Sequence, residues 1–155
     1  METNRISYIQ FQQALAAYPV FSIQDIEKIY PHFDSRRLVE WQQKEYIERL
    51  INRWYRFKIA LNTEGGIWWA ANRIYSPSYI SMETALSFHQ LIPEGVFSVT
   101  SVTTSKTQSF TTPIGVLQYQ HIKPKLFYGY SLAQINGLTI KIADFEKTIL
   151  ELFFI

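Results

Sequence analysis

Apolar side chains near the start of the chain recur at the spacing of a helix. Tyr8, Phe11, Leu15 and Tyr18 are three, four and three residues apart, which places them on one helical face. Pro19 follows directly and cannot continue a helix. The pattern therefore predicts an amphipathic helix that ends at Pro19.

A second short helix is predicted to begin after Ser22. Ser22 and Asp25 have the spacing of a capping box, in which each side chain bonds the backbone N–H of the other residue. The helix should end at Pro31, and its apolar positions should face inward: Ile23, Ile26 and Ile29.

A third helix is predicted from Asp34, which should act as its N-cap, with Phe33 packing onto Leu38 as a hydrophobic staple. At 100° per residue the helix should bury Leu38 and Trp41 on one side. The opposite side should face solvent and carry Arg36, Val39, Glu40 and Gln43.

After this helix the spacing of the apolar residues changes from about 3.6 residues, typical of a helix, to 2 residues, typical of a strand. Residues Tyr46–Leu50 and Trp54–Lys58 alternate as two strands around a turn at Ile51–Arg53. Three short helices followed by a basic hairpin are the arrangement of a winged helix. We therefore predict a winged helix-turn-helix over residues 1–60.

The composition changes near Leu61–Gly66, where a pair of glycines precedes a new apolar run, which predicts a domain boundary and a second domain over residues 61–155. Its pattern indicates an α+β fold with a mainly antiparallel sheet and helices packed on one side. The Asn136-Gly137 pair predicts a tight turn. The other predicted elements are a helix opening at Gly66–Ala71, a helix Met82–Leu91 capped by Ser81, strands at Val96–Thr103, Gly115–Ile122 and Leu138–Ile142, and a terminal helix capped by Asp144 and running through Ile155.

Composition narrows the class of protein. The 155 residues are 47% hydrophobic and 18% charged, which excludes a disordered tail or a charged coiled coil. The chain has no cysteine, so a disulfide scaffold, a Cys-ligated zinc site and a thiol nucleophile are excluded. It has neither the basic start and apolar run of a signal peptide nor the ~20 apolar residues that cross a bilayer. We therefore expect a soluble, cytoplasmic protein.

Positive charge is concentrated between Ser35 and Lys58. This segment contains seven basic and three acidic residues, although the net charge of the whole chain is only +2. In the major groove, arginine can form two hydrogen bonds with guanine, and glutamine can form two with adenine. Cations on a hairpin instead contact the phosphates. A solvated helix face and a hairpin kept soluble by its charges would give the same pattern. The candidate DNA-binding residues are Ser35, Arg36, Val39, Gln43, Lys44, Asn52, Arg53, Arg56 and Lys58.

No constellation in the sequence predicts catalysis, a metal or a cofactor. The three histidines are far apart, and the paired carboxylates Asp25/Glu27 and Asp144/Glu146 fall on predicted helices, where i and i+2 point apart. No glycine-rich phosphate loop or G-x-S-x-G turn is present. An aromatic group could stack single-stranded bases or form a core between the domains; its members are Trp54, Trp68, Trp69 and Tyr75.

One stretch of the second domain resembles a known family. Residues Ser78–Pro93, SYISMETALSFHQLIP, are similar to the Tyr-Ile-Ser-x-x-(Ser/Thr)-Ala-Leu-x-x-His-x-Leu-Ile-Pro stretch of AbiEi-type antitoxins, which are winged-helix regulators of type IV toxin–antitoxin (abortive infection) systems. Similar blocks follow in the same order at Val99–Thr103, Thr111–Tyr119, His121–Pro124 and Ile142–Leu150.

The resemblance implies a DNA-binding transcriptional regulator that binds inverted repeats, as a possible dimer, and represses its own operon. It further implies an antitoxin domain that counteracts a nucleotidyltransferase toxin encoded nearby. By position, the family's recognition helix corresponds to Asp34–Lys44 and its wing to Ile47–Phe57. Family members usually continue with further helices, so we expect either a truncated or a short homologue here.

A protein-interaction module is the alternative that the sequence leaves open. In that case the winged helix has lost its DNA contacts and docks a protein. The mild net charge and the apolar end Leu152–Ile155 favour it.

Overall fold

The computed structural model describes residues 6–58, 63–91 and 98–154. The chain divides into two compact units, Met1–Leu61 and Asn62–Ile155. Each unit combines helices with a sheet, so the fold belongs to the α+β class, as predicted. The predicted boundary between residues 60 and 61 lies outside the described residues.

The N-terminal unit contains three short helices: α1 (Tyr8–Ala14), α2 (Ile23–Ile29) and α3 (Arg36–Gln43). The capping box predicted at the start of α2 is confirmed. Asp25 N–H donates to the Ser22 hydroxyl at 3.1 Å, and Ser22 N–H donates to the Asp25 carboxylate at 2.9 Å. A local side-chain pair thus determines where α2 begins.

Three details of these helices differ from the prediction. Helix α1 ends at Ala14, because the chain turns over residues 15–17 before it reaches Pro19. Ile29 is exposed rather than inward, since at 100° per residue it lies about 120° around α2 from Ile23. The N-cap position of α3 is Ser35 and makes no side-chain cap bond, but Asp34 Oδ1 accepts from Arg36 N–H at 3.0 Å and supplies that bond instead.

A three-stranded antiparallel sheet completes the unit. Its strands are β1 (Val20–Ser22), β2 (Ile47–Ile51) and β3 (Trp54–Phe57), in the order β1-β3-β2. The predicted hairpin forms as β2–β3, but Ile51 pairs with Trp54 as part of β2, so the turn is only Asn52 and Arg53. Arg53 in that turn has a φ of 70°. Strand β1 was not predicted, because three buried residues carry no periodicity.

The core of this unit lies between the helices and one face of the sheet. Leu38 and Trp41 anchor α3 in it, as predicted, and the Trp41 and Phe11 rings lie 4.6 Å apart. Ile47, Tyr55 and Phe57 cover it from the sheet. The burial of one side of α3 leaves its other side to solvent.

The C-terminal unit is built on a six-stranded sheet with the order β6-β7-β5-β4-β9-β8. Three neighbouring pairs are antiparallel and two, β5–β7 and β4–β9, are parallel. The strands are β4 (Ser78–Ile80), β5 (Ser98–Thr103), β6 (Gln108–Thr112), β7 (Gly115–His121), β8 (Tyr130–Ile135) and β9 (Leu138–Ala143), and the helices are α4 (Glu64–Ile74), α5 (Met82–Phe88), a 3-10 turn (Pro124–Leu126) and α6 (Phe145–Phe154).

Strands β5, β7 and β9 and the three α-helices were predicted, whereas β4, β6, β8 and the 3-10 turn were not. Helix α5 ends at Phe88, three residues before the predicted end at Leu91. The predicted turn at Asn136-Gly137 joins β8 to β9, with φ values of 53° and 80°. Residues Val96, Phe97 and Ile155 of the predicted elements lie outside the described residues.

The helices cover both faces of this sheet, not one as predicted. In the strand register Tyr119 lies beside Ser101 and Tyr79 lies beside Val102. Ser101 and Val102 are neighbours on β5, so their side chains point to opposite faces of the sheet. Each tyrosine points to the same face as its partner on β5, so the two tyrosines also point to opposite faces. The hydroxyl of Tyr119 donates to Ala71 O of α4, and that of Tyr79 donates to the Glu151 carboxylate of α6. Helices α4 and α6 therefore lie on opposite faces.

No helix within residues 6–58, 63–91 and 98–154 is long and apolar enough to cross a membrane.

Candidate nucleic-acid interface

The outer side of α3 carries the side chains that the sequence assigned to base contacts. It lies opposite the buried Leu38 and Trp41. The Arg36 side chain is 89% exposed and Val39 is 55% exposed. The exposed candidates on and beside this helix are Ser35, Arg36, Val39, Gln43 and Lys44.

Arg36 is held by a carboxylate at the start of the same helix. Its Nη2 lies 2.8 Å from Asp34 Oδ2, and its Nε lies 3.0 Å from Asp34 Oδ1. The hydrogen bonds from the Arg36 side chain and backbone keep the pKa of Asp34 below its usual value. Asp34 in turn raises the pKa of Arg36, so both groups are charged at neutral pH.

Glu40 is shared by Arg37 of α3 and by Lys44, the residue that follows the helix. Its carboxylate lies 3.3 Å from Arg37 Nε and 3.7 Å from Lys44 Nζ. The Arg37 guanidinium also stacks over the Trp41 ring at 4.8 Å, which draws Arg37 away from solvent. The helix therefore neutralises much of its own charge.

Two cations of the hairpin are paired as well. Arg56 Nη2 lies 2.6 Å from Glu48 Oε1 across the two strands, and the Arg56 side chain is only 16% exposed. Lys58 Nζ lies 3.2 Å from Glu45 Oε1. Both basic residues are candidates from the sequence, and both already have a carboxylate partner.

Arg49 and Arg53 are exposed and differ from these cations. Among the described residues, neither has a carboxylate within ion-pair distance. Arg53 lies in the hairpin turn beside the exposed Asn52, and Arg49 lies on β2. Arg49 was missed as a site residue, because a count of charges does not show which of them are paired.

The candidate residues of the hairpin do not all share one face. Arg56 lies opposite Glu48, whereas Arg49 lies opposite Tyr55, one position along the strand. Tyr55 belongs to the core cluster, so Arg49 is on the face of the hairpin toward the helices and Arg56 is on the other face. Helix α3 packs against β2, the strand that carries Arg49.

The described histidines do not form a metal site. His89 and His121 each place a ring nitrogen 2.9 Å from a backbone carbonyl oxygen. No group of three or more His, Asp or Glu among the described residues could hold a metal ion. Of the aromatic group, Trp54 belongs to the first unit, and Trp68, Trp69 and Tyr75 belong to the second.

A buried polar cluster in the C-terminal unit has no counterpart in the sequence prediction. Glu151 is almost fully buried and accepts hydrogen bonds from Tyr79 and from Ser81, the latter at 2.6 Å. Lys147 Nζ lies 3.9 Å from Glu151 and donates to Leu126 O at 2.7 Å. Its members come from β4, α6 and the loops, 70 residues apart along the chain, so no local motif could reveal them.

The C-terminal unit also has a groove of about 600 Å³ beside the start of α4. Its walls include Trp68, Thr84, Ser87 and Val116. Glu64 is the one ionisable side chain among the described residues that line it. The groove therefore presents no acid–base pair from those residues.

No protein-family model and no curated protein matches the chain.

Proposed function

We propose that the N-terminal unit is a winged helix that binds duplex DNA, with α3 in the major groove and the β2–β3 hairpin along the phosphate backbone. The observation that carries the proposal is the pair Arg49 and Arg53. Both are exposed and lack a carboxylate partner among the described residues, and they belong to the hairpin that packs against α3. Exposed, unpaired arginines are suited to phosphates, which accept their planar donors bidentately.

The roles of the candidate residues follow from their pairing. Arg36 and Gln43 on the outer side of α3 are placed for base edges. Arg49 and Arg53 supply the phosphate contacts that do not first require an ion pair to open. Arg56 mainly holds β2 and β3 together through Glu48.

A salt titration tests this assignment. Each phosphate contact adds roughly 0.9 to the magnitude of the slope of log affinity against log salt. We expect Arg49→Ala and Arg53→Ala each to weaken binding to a random-sequence duplex, measured by fluorescence anisotropy, and to lower that slope by about one contact. Lys125→Ala removes an exposed cation from the C-terminal unit and is the matched control, which should leave the slope unchanged.

Equal slopes for wild type, Arg49→Ala and Arg53→Ala would contradict the hairpin assignment. Absence of any duplex binding by wild type at low salt would contradict DNA binding itself.

In the cell, we propose an AbiEi-type antitoxin that works in the cytoplasm. It would bind inverted repeats in its own promoter, as a possible dimer, and repress its operon. It would also counteract a nucleotidyltransferase toxin encoded nearby. The resemblance of Ser78–Pro93 and the blocks after it supports this proposal. A promoter–reporter fusion tests repression, and growth on co-expression with a neighbouring nucleotidyltransferase tests neutralisation.

The second candidate function is a protein-interaction module. It is favoured by α6, which turns Lys147, Thr148 and Glu151 inward and leaves Phe153 71% and Phe154 81% exposed. Recovery of a protein partner from nuclease-treated lysate, lost on Phe153→Ser, together with no duplex binding by the wild-type chain, would favour this function over DNA binding.

A further inference from the structure

The ion pair at the start of α3 leaves half of the Arg36 guanidinium free. Asp34 accepts from Nε at 3.0 Å and from Nη2 at 2.8 Å, along one edge of the guanidinium plane. Arginine has five N–H donors in a fixed fork. Both hydrogens of Nη1 and the second hydrogen of Nη2 therefore remain available, and the side chain is 89% exposed.

Those remaining donors match one base. Two parallel N–H groups at the end of a guanidinium fit the O6 and N7 acceptors that guanine presents in the major groove. Asp34 is itself tied to the helix, because its Oδ1 also accepts from the Arg36 backbone N–H at 3.0 Å. The carboxylate thus connects the guanidinium to the rigid end of α3.

We propose that Arg36 recognises a guanine through its free Nη1 and Nη2 donors and that Asp34 is the positioning residue that aims it. This inference rests on the proposed DNA binding. Asp34 limits the rotamers of a long side chain before the complex forms, so less side-chain freedom is lost on binding. The lowered pKa of Asp34 keeps its carboxylate charged beside the DNA.

The experiment uses the full chain and duplexes enriched by selection from a random pool. A base scan of the selected site should show one position where guanine is preferred by roughly 5- to 150-fold. Replacing that guanine by 7-deazaguanine, which lacks the N7 acceptor, should weaken wild-type binding. In Arg36→Ala the guanine preference should be lost and 7-deazaguanine should have no further effect.

The Asp34 variants separate aiming from folding. An asparagine amide oxygen can accept a hydrogen bond as a carboxylate oxygen does, so Asp34→Asn can retain the bond from Arg36 N–H while it removes the charge that holds the Arg36 guanidinium. We expect Asp34→Asn to lower the guanine preference by about 2- to 5-fold, which is the range of a surface ion pair. Glu27→Gln removes an equal charge from an exposed position of α2 and should leave the preference unchanged.

Each outcome decides one point. A wild-type chain that binds no duplex overturns both the proposed function and this inference. Duplex binding with a guanine preference that survives Arg36→Ala, or with no guanine preference at all, overturns this inference and leaves DNA binding in place. A preference lost in Arg36→Ala but equal in Asp34→Asn, Glu27→Gln and wild type assigns guanine to Arg36 and overturns the role of Asp34.

Discussion

Replacing Glu151 by alanine would remove the carboxylate that joins α6 to β4. Its side chain is 2% exposed, accepts from Tyr79 and Ser81, and lies 3.9 Å from Lys147 Nζ. Removing one partner of a buried ion pair costs about 3–5 kcal/mol, because the other charge stays buried. Lys147 keeps its bond to Leu126 O, so we expect the lower end of that range, about 3 kcal/mol.

The pH dependence gives a second, independent readout. Burial raises the pKa of Glu151, although the bonds from Ser81 and Tyr79 and the charge of Lys147 oppose the shift. The folded state therefore binds this proton more tightly than the unfolded chain, in which the pKa of glutamate is about 4.3. The contribution of this proton to the free energy of unfolding is fully present below about pH 4.3 and is lost as the pH rises through the higher pKa of the folded state.

Urea unfolding of the full chain measures both effects. We would follow tryptophan fluorescence and far-UV circular dichroism and fit one transition for each unit. Glu151→Ala should destabilise the C-terminal unit by about 3 kcal/mol. Glu151→Gln should cost about 1–2 kcal/mol, because one hydrogen bond remains, and should remove the acid-side pH dependence.

Glu146→Gln is the matched control, since it makes the same chemical change as Glu151→Gln at an exposed position of α6. It should cost at most about 1 kcal/mol, the size of a helix-terminus charge effect. If Glu151→Ala cost no more than this control, or if Glu151→Gln kept the pH dependence of wild type, the view that a buried carboxylate holds α6 would be refuted.

Two further substitutions test contacts that bring distant parts of the chain together. In Gly65→Ala the new Cβ would lie 2.6 Å from Ile135 O and 2.7 Å from Asn136 Oδ1, so we expect the unfolding midpoint of the C-terminal unit to fall, with a loss of about 1–3 kcal/mol. Arg56→Ala should leave Glu48 without its partner and destabilise the N-terminal unit. It should also change the salt slope of DNA binding less than Arg53→Ala does. An unchanged urea midpoint with a lower salt slope would show that Arg56 contacts phosphate instead.

Arg49 shows why the candidate site could be predicted only in part. Its charge is visible in the sequence, but the sequence does not show that Arg56 is paired across the hairpin while Arg49 is not. Pairing at separations of eight residues depends on strand register, and register is set by turn geometry and by which face is buried. The helix candidates fared differently, because the side on which Arg36 and Gln43 lie follows directly from the helical period.

The sequence by itself determined the features that depend on neighbours within one turn or one hairpin. These include the capping box of Ser22 and Asp25, the buried and exposed sides of α3, and the turn at Asn136-Gly137. Tertiary structure alone decided where three-residue strands such as β1 and β4 form, that helices cover both faces of the larger sheet, and that Glu151 meets Tyr79. The physical reason is range: a cap or a helix face is stabilised by contacts a few residues apart, whereas a short strand or a buried carboxylate is stable only when distant segments supply its hydrogen-bond partners.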